Sequence, residues 1–367
     1  MNVMSFFEKL TSALPGKTFD AALLVSEVAG RYVTGFPSSD GYVVLTPEKT
    51  VFLTDSRYFG AAKQARENGK IPADIELLLQ DTHVWETIAA LLAGRESVLI
   101  EENRLTLAAF DRISGRLSGH TFVKGASAAL DALRAVKNDA ELVCIERAQA
   151  MTDAAFSHIC GYLSNGLSSQ GGLTEKAVAL ELEHYMRSHG ADGVAFDTIA
   201  VSGVKSAMPH GVPGDVPLAA GFLTMDFGAR FNGYASDMTR TVCIGKPTEA
   251  MRDVYDTVLS AQLAALEFIA AGKTGKSVDA VARDYIASRG YEGRFGHSLG
   301  HSLGLEIHES PNFSPSNEAP IPAGAVLSVE PGVYLDGLFG VRIEDIVNIT
   351  ASGCKNMTKS SKELIIF

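Results

Sequence analysis

The stretch GFLTMDFGARFNGYASDMTRTV, residues 221–242, decides how the larger part of this chain folds. Two apolar runs flank Asn232-Gly233, the pair preferred in a two-residue type I′ hairpin turn. With Phe231 paired to Tyr234, Asp226 falls opposite Thr239, and Asp237 shares the parity of Thr239. Side chains alternate along a strand, so Asp226 and Asp237 are expected on one face as diagonal neighbours. The residues around both are apolar, and an unpaired buried carboxylate is costly. Two carboxylates so placed repel unless a proton or a cation lies between them. The pattern therefore points to a divalent metal rather than to two solvated aspartates.

Working outward, FGHSLGHSLGLEIHE at 295–309 places His297, His301 and His308 at successive offsets of four and seven. Gly296, Gly300 and Gly304 are expected to let the backbone approach a ligand closely. His210 sits in SAMPHGVP, a loop by its proline and glycine content. The other five histidines read as ordinary surface or core residues. Glu330 ends the β-branched run of LSVEPG, and Glu344 lies inside GVRIEDIVNI. A charge within an apolar strand either faces solvent or does chemistry. Four carboxylates and one imidazole suit hard or borderline ions, Mn²⁺ or Co²⁺ before Zn²⁺.

The remainder sets the frame. A chain of 367 residues suggests two domains. With 46% hydrophobic and 20% charged residues it has the composition of a globular protein, which excludes a disordered or fibrous one. A net charge of −11 speaks against nucleic acid and against an anionic membrane surface as partners. No run approaches the ~18 apolar residues of a membrane span. The opening MNVMSFFEKL, interrupted by Glu8 and Lys9, does not read as a secretory signal. Cys144, Cys160, Cys243 and Cys354 lie far apart, and are expected as buried free thiols in a reducing cytoplasm.

In the first third, strands are expected at 21–27, 41–45, 50–53 and 97–101, with helices at 57–68 and 84–93. That alternation predicts a small α/β domain. A boundary is expected within 131–138, where a Gly/Ala/Ser stretch meets a charged lead-in. Beyond it, helices are expected from 139 onward, at 174–190, at about 250–271 and from Ser277 to about 290. Strands are expected at 223–227, 235–242, 325–329 and 341–349. The second domain thus reads as α+β.

Taken together, SAMPHGVP, MDFGARFNGYASDMTRTV, FGHSLGHSLGLEIHE, SVEPGVYL and GVRIED resemble, in order, the motifs of the pita-bread metallopeptidases that cleave Xaa-Pro bonds, the aminopeptidase P and prolidase group. RYVTGF and TDSRYF in the first third resemble that family's accessory domain more weakly. The resemblance implies a creatinase-N-like accessory domain over 1–131 and a catalytic pita-bread domain over 132–367. It implies two divalent ions, held by Asp226, Asp237, His301, Glu330 and Glu344, with Asp237 chelating or bridging and Glu344 bridging. His210, His297 and His308 would line the substrate cleft, and His308 or His297 would stabilise the oxyanion. Glu330 would move a proton to the leaving prolyl nitrogen, and Arg342 would orient a carboxylate ligand. The expected substrates are proline-containing peptides. A homodimer is expected, with Arg57 and Tyr58 reaching a neighbouring site. Methionine aminopeptidase activity on the same fold and a non-catalytic peptide-binding module are the alternatives.

Overall fold

The computed structural model describes residues 4–167 and 172–367. Met1–Val3, the first residues of the opening segment read above, lie outside them. The chain divides into two compact units, Met1–Arg134 and Ala135–Phe367.

In the first unit a six-stranded mixed sheet runs, from edge to edge, Ile75–Leu79, Thr50–Thr54, Tyr42–Leu45, Ala21–Leu24, Ser97–Ile100, Thr121–Lys124. The three consecutive strands Ala21–Leu24, Tyr42–Leu45 and Thr50–Thr54 pair antiparallel, and the outer strands join in parallel. Both faces are covered, which is why Ala21–Leu24 is buried at every position rather than alternating. The strand expected over 21–27 stops at Leu24. Glu101 accepts the Val25 and Ser26 N–H groups and the Ser26 hydroxyl, and the Ser26 oxygen caps helix Glu27–Thr34 by accepting from Ala29. The strands at 75–79 and 121–124 and helix Leu107–Arg116 were not anticipated.

The second unit opens with helix Asp139–Gly166, started by a reciprocal capping box between Asn138 and Glu141. This helix and Glu175–Ser188 pack Phe156, Ile159, Leu163, Leu182 and Met186 against Leu223, Met225 and Phe227 of the hairpin. A second pair, Glu249–Phe268 and Gly275–Ile286, packs Val254, Val258, Val278 and Ala282 against Leu327, Val329, Val347 and Ile349. Each fully buried Leu, Ile or Phe contributes roughly 1.5–3 kcal/mol. The fourth helix starts earlier than expected: Thr274, not Ser277, is its cap, accepting the Ser277 N–H at 3.1 Å.

The hairpin keeps its expected register, with Phe231 opposite Tyr234 and Thr239 opposite Asp226. Asn232 and Gly233 have φ of 46° and 79°, as a type I′ turn demands. The strand expected over 235–242 is interrupted at Ser236 and Asp237, and the one over 341–349 at Ile343 and Glu344. Strand Gly221–Phe227 is flanked by Ile199–Ser202 and Met238–Ile244. Strand Gly300–Ser302 lies between Glu309–Phe313 and Val326–Val329 in a five-stranded sheet that continues to Asp345–Thr350. The two systems meet where Glu344 donates its N–H to the Thr239 carbonyl at 3.1 Å. Of the cysteines only Cys243 is buried; the other three are partly exposed, against expectation. No described helix is long and apolar enough to cross a membrane.

Candidate metal centre and cleft

The breaks in the strands are where the chemistry sits. A residue at a break is released from ladder pairing, and here Asp237 and Glu344 turn inward together. They are 4% and 1% exposed. Ligand atoms of Asp237, His301 and Glu344 lie within 4.8 Å of one another. His301 Nε2 is 3.6 Å from Asp237 Oδ2 and 3.4 Å from Glu330 Oε1. His301 Nδ1 lies 3.2 Å from the Ser302 carbonyl, so it carries the ring proton and Nε2 presents its lone pair to the carboxylates. Asp226 is tethered: Arg342 Nη2 donates to its Oδ2 at 2.6 Å. The structure thus brings four of the five expected ligands into direct contact range and tethers the fifth beside them.

Close packing positions each group. A Cβ on Gly300 would lie 1.9 Å from the Ser328 carbonyl, so the strand before His301 can approach only as glycine. A Cβ on Gly304 would lie 2.7 Å from the Glu309 carboxylate, whereas Gly296 faces open space. Two of these glycines thus admit the protein's own backbone and side chains, and Gly300 also lines the cleft. Ser328 Oγ accepts the His301 N–H at 3.0 Å and donates to Glu330 Oε1 at 3.0 Å, binding two expected ligands to one hydroxyl.

Arg342 is 3% exposed, so it is no surface arginine. Besides Asp226 it donates to Thr239 Oγ1 at 3.0 Å, to the Tyr334 hydroxyl at 2.9 Å and to the Pro209 carbonyl at 3.2 Å. Thr239 passes the contact on, donating to Glu344 Oε2 at 2.7 Å. One guanidinium therefore ties Asp226, Glu344 and the loop bearing His210 together. Tyr334, Thr239 and Ser328 were missed by sequence reasoning. Tyr334 stood inside SVEPGVYL, but nothing local marks a tyrosine at a strand end as a site residue.

Negative charge is in excess. Without a cation, burial and then the charge of Glu344 push Asp237 well above the usual carboxylate range. Burial and then Glu330 do the same to Glu344. Burial raises Glu330 to about 7, with Arg342 opposing and Asp226 adding. Burial holds His301 and His308 below the usual imidazole range, so both are neutral near pH 7. Three carboxylate oxygens at this point, Asp226 Oδ1, Asp237 Oδ1 and Glu344 Oε1, are buried without a hydrogen-bond donor. Orphaned anionic oxygens beside an imidazole lone pair are what divalent metal ions satisfy, and the donor set fits them.

The cleft has a volume of about 500 Å³, of the size that takes a small ligand. His210, His297 and His308 line it with Asp226, Asp237, His301, Glu330, Arg342 and Glu344. Phe196, Ile199, Pro209 and Ile307 supply apolar wall. His308 meets His301 edge-on at 4.4 Å. His297 is differently placed. Its Nδ1 faces the Ser298 carbonyl at 2.9 Å, so Nε2 must accept from the Tyr334 hydroxyl at 2.9 Å. Burial, helped by Arg342, lowers its pKa to about 4, which keeps that neutral form. His297 thus has no spare N–H for an oxyanion. Arg57 is held by Asp55 and Asp40 on its own unit.

Comparison with known proteins agrees over nearly the whole chain. Residues 143–351 match metallopeptidase family M24, and residues 7–136 match the creatinase/prolidase N-terminal domain. An Xaa-Pro dipeptidase of Pyrococcus furiosus is 35% identical, over 98% of this chain and 99% of its own. Among solved structures, an Xaa-Pro dipeptidase from Bacillus anthracis superposes with a TM-score of 0.91 at 36% identity, covering 98% of each chain. An X-Pro aminopeptidase from Thermotoga maritima does so with a TM-score of 0.86 at 35% identity, covering 95% of this chain and 98% of that one.

Proposed function

Because the chain belongs to metallopeptidase family M24, with a pita-bread domain behind a creatinase/prolidase N-terminal domain, we propose that it hydrolyses the bond between an N-terminal residue and a following proline. The observation carrying the proposal is the set of orphaned carboxylate oxygens around the His301 lone pair, at the floor of a peptide-sized cleft. Its similarity to proteins named Xaa-Pro dipeptidase and X-Pro aminopeptidase supports the proline specificity.

In this reading residues 132–367 are the catalytic domain and 1–131 the accessory one. Asp226, Asp237, His301, Glu330 and Glu344 would hold two divalent ions, Mn²⁺ or Co²⁺ on the chemistry of the donors. When bound, such a pair supplies Lewis acidity, polarising a carbonyl and lowering the pKa of water. The chain's own groups do the rest. Glu330 takes a proton from the attacking water and returns it to the prolyl nitrogen as the bond breaks. His308 donates to the oxyanion, with His210 on the adjoining wall. Arg342 and Thr239 keep Asp226 and Glu344 aimed inward. A homodimer and a cytoplasmic location complete the proposal, the second supported by four free cysteines.

The test is to strip the purified chain with a chelator and reload it with Mn²⁺ or Co²⁺. It is then offered Xaa-Pro dipeptides, longer Xaa-Pro peptides and Met-initiated peptides without proline. Hydrolysis confined to the proline series after reloading is expected, and the ratio of its two members separates dipeptidase from aminopeptidase. Equal inertness towards both would overturn the proposal. Turnover of the Met series alone would transfer the site to methionine aminopeptidase chemistry.

A further inference from the structure

Helix Gly275–Ile286 carries Asp279 and Arg283 one turn apart, neither of them among the residues that line the cleft. Their ion pair is bidentate, Arg283 Nε to Asp279 Oδ2 at 2.7 Å and Nη2 to Oδ1 at 2.9 Å. An ordinary i,i+4 pair on a helix surface would leave the remaining guanidinium donors in water. Here two of the three are taken by the backbone of the 295–299 segment. Arg283 Nη1 donates to the Phe295 carbonyl at 2.8 Å, and Nη2 also donates to the His297 carbonyl at 2.8 Å. Asp279 Oδ1 accepts the Leu299 N–H at 3.0 Å. Three alternate residues of one short loop thus hang from one ion pair, and Asp279 is 1% exposed.

The contacts continue to the cleft. The guanidinium carbon lies 4.4 Å from the centre of the Phe295 ring, whose centroid is 4.9 Å from that of His297 in an edge-on contact. His297 then meets Tyr334 through Nε2. At its far end the segment runs into strand Gly300–Ser302, which bears His301. Loop backbone this close to a functional histidine needs its carbonyls satisfied, because it belongs to no sheet.

We propose that Asp279 and Arg283 are a positioning pair for the reaction: they hold the 295–299 segment so that His297 presents its ring to the cleft beside Tyr334. The inference rests on reading the cleft as the peptidase site. Neither residue lines the cleft; the pair acts through the backbone of the 295–299 segment, and His297 is the histidine that this segment carries.

The experiment is a double-mutant cycle on the full-length, Mn²⁺-loaded chain. Arg283→Ala, Arg283→Lys and Asp279→Asn are each made in the wild-type and His297→Ala backgrounds, with an Xaa-Pro dipeptide as substrate. Arg283→Ala is expected to lower kcat/KM by ~10–100-fold in the wild-type background, the scale of outer partners of a metal site. It should cost little more in the His297→Ala background, where there is no ring left to position. Millimolar guanidinium should restore part of the Arg283→Ala loss. Arg283→Lys, which keeps charge without the fork, should remain impaired. A second measurement is independent of turnover: imidazole ¹⁵N spectra of the chelated protein should show the His297 ring displaced in Asp279→Asn, with His158 unmoved. Equal losses in both backgrounds, or an unmoved His297 ring, would overturn the proposal. If the parent chain hydrolyses no Xaa-Pro bond, the functional reading falls, and the spectra still decide whether the pair positions His297.

Discussion

Glu344 and Asp345 are neighbours in the chain, each 1% exposed, and their acid–base behaviour is opposite. Asp345 sits in a saturated cluster. Arg240 Nη2 donates to Oδ1 at 2.8 Å, and Lys362 Nζ and Asn356 Nδ2 both donate to Oδ2 at 2.7 Å. Burial alone would raise its pKa, but the charges of Arg240 and Lys362 outweigh it and hold the carboxyl below the usual range. Glu344 has one donor, Thr239, and faces Asp237, Asp226 and Glu330. Equal burial therefore does not imply equal purpose. One carboxylate is neutralised by the fold; the other is left short of positive charge, which a proton or a bound cation supplies.

Substitutions on the two sides should separate in kind as well as size. Asp237→Ala should abolish turnover of Xaa-Pro peptides while leaving the chelated protein as stable as the parent or more so, since a repelling buried carboxylate has gone; urea denaturation alongside the assay checks both halves. Asp345→Ala should do the reverse, stranding Arg240 and Lys362 and lowering stability by ~3–5 kcal/mol, read from the urea midpoint. A chain that melts normally after that change would erase the contrast.

Arg342→Lys tests the border between the two regimes. The charge survives, but the fork that reaches Asp226, Thr239, Tyr334 and the Pro209 carbonyl does not. A loss of ~10–100-fold in kcat/KM is expected, with weaker metal retention in a chelator titration. Unchanged kinetics would mean that the carboxylates are aimed by packing alone.

The smallest effect is in pH. In the chelated protein Glu330 has a folded pKa of about 7, above its ordinary 4.5. The folded state then binds more protons than the unfolded one between those values. The stability it contributes is present below about 4.5 and is lost as pH rises through about 7. Asp345 has the opposite sign: its contribution is present above the ordinary carboxylate value and is lost as pH falls through the folded one. The melting temperature of the chelated chain should therefore fall between about pH 5 and pH 8, and reloading with Mn²⁺ should flatten that slope. A slope indifferent to metal would remove the carboxylate cluster as its source.

Much of this was legible because the signals are local. The Asn-Gly turn sets a register, the register puts two aspartates on one face, and the motifs that follow are read residue by residue. The corrections share a cause. Ser26 rather than strand propensity ends the first strand, because Glu101, remote in the chain, claims its N–H. Thr274 rather than Ser277 caps a helix, and no pattern separates two hydroxyl residues three positions apart and of similar capping strength. Arg240, a charge within an apolar strand, satisfied the same criterion that singled out Glu344, but its partners lie some hundred residues away.

The sequence by itself determined the two-part organisation, the hairpin with its paired aspartates and the residue types that can hold a metal, since each follows from turn chemistry, strand parity or the donor preferences of ions. Only the tertiary structure decided which buried carboxylates meet a cation of the fold and which are left without one. It also decided that both nitrogens of His297 are engaged while Nε2 of His301 faces the carboxylates, and which helix holds the histidine loop. Those are contacts across long loops, and their geometry depends on packing that no local spacing encodes.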